Sequence, residues 1–133
     1  MDLLSLTAVE LGTAIQQGQT TAREAMEAVL KQIDKTEEIL HCYITIDRKK
    51  ALEEAEGVQR KIEAGELSGP LAGVPAAVKD NLCTEGMLTT CASRMLGNFV
   101  PGYSAEAVLN LKRAGAVLVG KTNMEEFAMG STT

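Results

Sequence analysis

Residues 69–81, GPLAGVPAAVKDN, lead from a Gly- and Pro-rich turn through small apolar residues to a single lysine, Lys79. Pro70 and Pro75 restrict the backbone and lack an N–H donor, so the chain approaches this lysine along a defined irregular path. Ala76-Ala77-Val78 shows no alternation with polar residues and predicts a short, fully buried strand of a parallel sheet. Lys79 would stand where that strand emerges, which is where open α/β sheets carry their functional groups.

Two helices with matching start signals precede this stretch. Thr7 with Glu10, and Thr21 with Glu24, each form the Thr-x-x-Glu pattern of a capping box ahead of an apolar stripe. The stripes predict one helix after each box, and the second helix is predicted to end at about Thr36.

The spacing of apolar residues changes between the second helix and a third. Alternation between residues 39 and 46 predicts a short strand or an extended connector. Asp47 follows as the predicted cap of a helix that ends at Gly65. Residues 1–66 are therefore interpreted as an N-terminal helical layer.

The second half of the chain has the order of a parallel strand–helix–strand unit. Residues 82–102 lack a clean period and predict a long loop. Ser104 is the predicted cap of a helix that Gly115 ends, and residues 116–119, AVLV, predict a second apolar strand. Asn123 is the predicted cap of a short helix. We expect the two strands to be parallel with a right-handed connection.

The fold class predicted from this order is α/β. Residues 67–133 are interpreted as the start of an α/β core. A chain of 133 residues suits one domain, but two strands are too few for a parallel sheet covered on both faces. The sequence therefore predicts one domain whose core is incomplete.

Composition excludes several classes of function. A formal net charge of −5 argues against a nucleic-acid surface, which needs a basic footprint. No apolar run approaches the ~20 residues of a membrane span. Cys42, Cys83 and Cys91 lack the spacing of a zinc site, and they predict free thiols in a reducing compartment, the cytoplasm. We expect no metal ion and no cofactor on this chain.

Lys79 has two possible roles. The simpler one is a strand-end lysine that pairs with Asp80 and points at water, because lysines are rarely fully buried. The other is a desolvated lysine that acts as a base near neutral pH. Such a base needs a hydroxyl or thiol nucleophile, and the candidates here are Cys83, Cys91, Ser93, Ser131, Thr132 and Thr133. Lys121 imitates the end of a phosphate-binding loop without its upstream glycine, so we interpret it as structural.

Three ordered blocks carry a resemblance to a known family. The pattern P-L-x-G-V-P-x-x-V-K-D-N in residues 69–81 resembles the catalytic-lysine segment of the amidase signature family. Residues 120–131, GKTNMEEFAMGS, are similar to the next block of that family. The middle piece, residues 89–101, is most similar to the family's glutaminase branch, the A subunits of aspartyl/glutamyl-tRNA amidotransferases. The resemblance covers essentially the whole chain.

The resemblance implies an α/β/α sandwich around a mixed, partly parallel sheet and a Ser–Ser–Lys triad. Lys79 would deprotonate a bridging serine, which in turn activates a nucleophilic serine against the side-chain amide of glutamine. Met129, Gly130 and Ser131 match a loop expected to line the substrate pocket. The ammonia would pass to partner subunits B and C, where ATP and Mg²⁺ serve the amidation of misacylated tRNA; tRNA would contact the complex only through its partner.

The sequence departs from the family in one large respect. The Gly/Ser-rich block that carries both triad serines in the family is absent from these 133 residues, so we expect no activity from this chain alone. Ser104 stands where the family is expected to have an aspartate. Three alternatives stay open: an interaction module that associates with itself, a fragment of a generic amidase, and a small lysine- or cysteine-dependent enzyme using Cys83 or Cys91.

Overall fold

The computed structural model describes residues 2–131, which form three layers: a small sheet with helices on its two faces. Four α-helices and three strands follow one another as α1 (Ala8–Gln16), α2 (Ala22–Leu40), β1 (Tyr43–Ile46), α3 (Arg48–Glu63), β2 (Pro75–Lys79), α4 (Glu106–Arg113) and β3 (Val117–Thr122). Three short 3-10 turns lie at Leu3–Ser5, Arg94–Leu96 and Glu126–Ala128.

The predicted capping boxes start the first two helices. Thr7 and Thr21 each accept a hydrogen bond from the backbone N–H of the glutamate three residues later, and the carboxylate of that glutamate accepts one from the backbone N–H of the threonine. Helix α2 runs past the predicted end at Thr36 to Leu40, where His41 takes a left-handed conformation with φ 50°. The expected strand is correspondingly shorter, because its first residues complete the helix.

Helix α3 begins and ends as predicted. The Asp47 side chain accepts a hydrogen bond of 3.0 Å from the Lys50 N–H. Gly65 follows the helix with φ 72°, a conformation that glycine adopts without steric cost. Ala51 and Ala55 are fully buried on the inner face of the helix.

The sheet has the strand order β1-β3-β2 and is mixed. Strand β2 runs parallel to β3, as predicted, whereas β1 runs antiparallel to it. Strand β1 thus joins the helical layer to the core, and the predicted boundary near residue 66 stays a prediction.

Strand β2 is less buried than predicted. Val78 is buried, but Ala77 and Lys79 are exposed and Ala76 is half-buried. The reason is its position: within the described residues β2 pairs with β3 on one side only. A continuous apolar run therefore predicted full burial for a strand that lies at an edge.

Helices cover β3 on both faces, which gives the α/β/α layering expected from the sequence. Val117 and Val119 pack against α2 and α3, while Leu118 packs with Val78 and with Val108 of α4 on the other face. The larger of these clusters consists of Ala22, Met26, Leu30, Ile33, Ala51, Ala55, Val117 and Val119. The predicted fold class is confirmed.

Two predicted helix caps are wrong. Ser104 lies one residue before the cap position of α4, which Ala105 occupies, and its hydroxyl accepts a 2.9 Å bond from the Glu85 N–H. Asn123 does not cap a helix either: its amide donates to the His41 carbonyl at 3.1 Å. In both places the side chain forms a hydrogen bond with a residue far away in the sequence and does not cap the helix that its position in the sequence predicts.

The long loop between β2 and α4 is confirmed as irregular. Its two arms are joined by backbone hydrogen bonds from Gly86 to Pro101 and from Thr89 to Phe99, of 3.1 and 3.0 Å. The loop therefore folds back on itself beside the strand ends. Among residues 2–131 we find no helix with both the length and the apolar character needed to span a membrane.

Candidate active site

Lys79 is the last residue of β2 and lies level with the end of β3, because it pairs in register with Thr122. Its side chain is exposed, between the buried residues Val78 and Asp80. Of the two roles left open for this lysine, the exposed strand-end position fits the described residues, and its role as a catalytic base stays a prediction. The exposure follows from the edge position of β2.

Directly behind Lys79, two opposite charges are fully buried. Asp80 and Lys121 both have 0% relative exposure, and Lys121 Nζ lies 3.4 Å from Asp80 Oδ1. The amine also donates hydrogen bonds to the Leu82 carbonyl at 2.8 Å and to Thr89 Oγ1 at 2.7 Å. Two of the three N–H donors of a charged lysine therefore have hydrogen-bond partners, and Asp80 Oδ1 is an ion-pair neighbour that accepts no hydrogen bond within the described residues. The structural interpretation of Lys121 is confirmed.

Burial and the neighbouring carboxylate shift the pKa of Lys121 in opposite directions. Burial lowers the pKa of the Lys121 amine, because it disfavours the charged form, and the Asp80 carboxylate works against that shift. The second Asp80 oxygen accepts hydrogen bonds from the Thr90 N–H at 3.0 Å and from the Thr90 hydroxyl. Asp80 thus anchors the loop that follows Lys79.

The loop after β3 attaches to the loop after β2 through strained backbone. Cys91, Ala92, Phe127 and Ala128 all have positive φ, between 52° and 58°. Such a conformation costs a non-glycine residue on the order of 1–3 kcal/mol and persists only where its surroundings hold it. Here the Phe127 N–H donates to the Cys91 carbonyl at 2.9 Å, and Ser93 Oγ donates to Glu126 Oε1 at 2.7 Å.

Met129, Gly130 and Ser131 lie in the exposed segment that follows this second loop. Met129 is 81% exposed. The segment follows the C-terminal end of β3, and Lys79 is at the C-terminal end of the parallel strand β2. Within residues 2–131 no hydrogen bond joins them, and their role in binding substrate stays a prediction.

The candidate nucleophiles differ in their surroundings: Cys83 and Ser93 have side-chain partners, Cys91 is half-buried and Ser131 is exposed. Ser93 is buried, donates to Glu126 and accepts a 3.2 Å bond from the Met95 N–H. The Cys83 thiol lies 3.6 Å from the Tyr103 hydroxyl, and all three cysteines are free. Thr132 and Thr133 fall outside the described residues. In that described part, no three His, Cys, Asp or Glu side chains converge as a metal site would require.

Sequence reasoning missed the buried ion pair and the two threonines that complete it. A signal was present, since Lys121 interrupts an apolar strand and Asp80 directly follows the other parallel strand. Charged residues at those positions need a partner if they are buried. What the sequence lacked was the register that sets Val78 opposite Lys121.

Comparison with known proteins agrees with these features. The sequence model of the Amidase family matches residues 24–133. The chain is 64% identical over 133 residues to the A subunit of glutamyl-tRNA(Gln) amidotransferase from Lachnospira eligens, covering 100% of this chain and 28% of that protein. The corresponding protein of Agathobacter rectalis is 60% identical, with 100% and 26% covered. The chain thus spans about a quarter of the length of these curated relatives.

Solved structures give the same result. The peptide amidase of Stenotrophomonas maltophilia superimposes with a TM-score of 0.87 at 32% identity, covering 92% of this chain and 26% of that one. A bacterial aryl acylamidase of the amidase signature family gives a TM-score of 0.82 at 25% identity, with coverage of 92% and 26%. Because the family model and these folds agree over most of the sequence, the chain belongs to the amidase family.

Proposed function

We propose that this chain is the N-terminal part of the glutamine-hydrolysing A subunit of a tRNA-dependent amidotransferase, which acts in the cytoplasm. The observation that supports this most is 64% identity to such a protein over the whole chain, with the lysine block at the end of β2. Ammonia from glutamine would pass to subunits B and C. Those subunits would use ATP and Mg²⁺ and contact the misacylated tRNA.

In this proposal Lys79 is the base of the triad. A neutral amine accepts the proton of a bridging serine, which then activates the nucleophilic serine. Both serines would come from the other three quarters of such a protein, since no Gly/Ser-rich block occurs here. In this proposal that remainder also covers the exposed end of β2. Such cover would favour the neutral form that a lysine base needs, because burial disfavours the charged amine.

Measurement of glutaminase activity tests the proposal. The 133-residue chain alone should release ammonia from glutamine at the background rate. Joined to the remainder of an amidotransferase A subunit, the same chain should be active, and Lys79→Ala should reduce kcat by about 10⁴-fold or more, as for other catalytic units. Lys49→Ala is the matched control, because Lys49 is another exposed lysine and lies on α3. Full activity of Lys79→Ala in the joined protein would refute the role of Lys79.

A second candidate function is a module that associates with itself. It is supported by the unpaired side of β2 in the described chain and by several exposed apolar side chains: Ile39, Leu40, Met95, Val100, Tyr103 and Met129. Surfaces of this kind favour association. A stable monomer in solution would count against this candidate, whereas ammonia release by the isolated chain would exclude the inactive-part proposal. If that release were lost on thiol alkylation, it would favour a cysteine-dependent enzyme.

A further inference from the structure

The backbone on both sides of Lys79 is held by buried groups. On one side Val78 pairs in register with Lys121 and is buried. On the other side the Asp80 N–H donates to the Thr122 carbonyl at 3.2 Å, and the Asp80 carbonyl accepts from the Cys91 N–H at 3.0 Å. Lys79 is bonded to both neighbours, so the direction of its Cα–Cβ bond is set by them.

The Asp80 side chain depends on Lys121 for its position. One carboxylate oxygen binds Thr90, and the other has the Lys121 amine as its neighbour at 3.4 Å. A buried charge that loses its partner is strongly unfavourable. Without the amine, Thr90 would be the one remaining side-chain partner of a buried carboxylate among the described residues, so the present position of Asp80 would be disfavoured.

Neither member of the pair can reach a substrate, because both are completely buried whereas Lys79 is exposed. The same amine also holds the Leu82 carbonyl and the Thr89 hydroxyl. A single side chain of β3 therefore contacts three points of the segment that follows Lys79. An effect of the pair on chemistry has to pass through the position of Lys79.

We propose that Asp80 and Lys121 are positioning residues for Lys79, and that they set the direction in which its amine leaves the end of β2. This inference rests on the proposed function of Lys79 as the base. It assigns separate roles to the two lysines at this edge of the sheet. Lys79 exchanges the proton, and Lys121 holds the backbone that carries Lys79.

Glutaminase kinetics of the chain joined to the remainder of an amidotransferase A subunit test the inference. Lys121→Met should reduce kcat by about 100-fold, the effect of a displacement near 1 Å at a reacting group. KM should change by less than about twofold, because the pair does not touch substrate. Thr89→Val removes one partner of the amine and should lower kcat less, in the same direction. If Lys121→Met does not fold, the kcat of Thr89→Val tests the inference.

Thr7→Ala is the control for lost stability. It removes the capping box of α1 and leaves residues 69–81 and the pair unchanged. Activity is expressed per folded protein from circular dichroism. Unchanged kcat in Thr7→Ala together with reduced kcat in Lys121→Met supports positioning. Full kcat in both Lys121→Met and Thr89→Val, with Lys79→Ala inactive, would overturn the inference and leave the proposed function standing. Activity in Lys79→Ala would overturn both.

Discussion

The residue that departs most from expectation is Lys121, a charged side chain with no exposure in a strand of Val, Leu and Gly. Its burial is tolerated because Asp80, Leu82 and Thr89 all supply oxygen atoms to the amine. A buried ion pair contributes little net stability relative to an apolar pair, but its halves depend on one another. The pair therefore holds the ends of β2 and β3 in one arrangement and adds little to net stability.

At this scale we predict that Lys121→Met or Asp80→Asn lowers the free energy of unfolding by about 3–5 kcal/mol, because each leaves a buried polar group without its partner. Urea unfolding of the isolated chain measures this. Lys49→Met is the control: Lys49 pairs with Glu53 at 3.8 Å on the surface, and such pairs contribute only about 0–1 kcal/mol. Equal losses in the buried and surface variants would contradict the prediction.

At the scale of the helices, one contact limits how closely α1 approaches the rest of the chain, and another fixes the start of α2. Gly12 of α1 lies against the Pro70 turn, where an added Cβ would come within 2.1 Å of the Pro70 carbonyl oxygen. Helix α2 begins with a capping box in which Glu24 accepts from Thr20 Oγ1 and from the Thr21 N–H, both at 2.9 Å. The first contact is steric and the second electrostatic.

The steric contact predicts opposite effects for two glycine substitutions in helices. Glycine to alanine in a helix ordinarily stabilises by about 0.5–1 kcal/mol. Gly57→Ala in α3 should follow that rule, since only Arg60 Nη2, at 3.8 Å, comes near the added Cβ. Gly12→Ala should instead destabilise by about 1–3 kcal/mol through overpacking. Thermal unfolding measures both, and a shift of the same sign in the two variants would refute the prediction.

The capping box predicts a dependence of stability on acid pH. Hydrogen bonds from Thr20, and then from Thr21, lower the pKa of Glu24 below its usual value of 4.5. Glu24 therefore stabilises the fold fully above pH 4.5, and this contribution is lost as pH falls through the lower pKa of the folded state. Glu24→Gln should flatten the fall in thermal midpoint below pH 4.5. Glu38→Gln, exposed on the same helix, is the control, and equal slopes in both variants would count against the assignment.

At the scale of the whole molecule, the layers are complete around β3 and open beside β2. Helices α2 and α3 cover one face of β3, and α4 covers the other. Strand β2 has a neighbour on only one side within the described residues. The chain spans about a quarter of its curated relatives, so the open side is where we expect the remainder of such a protein to continue the sheet.

The open edge predicts self-association of the isolated chain. Light scattering should give a mass that rises with concentration, because an unpaired strand edge offers N–H and C=O groups to a second copy. Ala77→Lys, at an exposed position of β2, should reduce this association, since charge on an edge strand opposes pairing. Val9→Lys adds the same charge on exposed α1 and should leave association unchanged. A monomer at all concentrations would contradict the prediction.

The sequence by itself was sufficient for the elements whose signals are local. The capping boxes at Thr7 and Thr21, the Asp47 cap and the parallel pairing of two apolar strands were all predicted correctly. Each depends on side chains a few residues apart or on the order of neighbouring segments. The blocks around Lys79 and Lys121 also indicated the amidase family, because the order and spacing of their residues can be compared directly with the family pattern.

Only the tertiary structure decided which of these residues are buried and which face water. The sequence left open whether Lys79 is exposed or desolvated, and it is exposed because β2 lies at the edge of the sheet within the described residues. Lys121 is fully buried, because β3 lies at its centre with helices on both faces. Burial depends on what packs against a strand from distant parts of the chain, and sequence spacing does not contain that information. A lysine near the end of an apolar strand is therefore exposed in β2 and buried in an ion pair in β3.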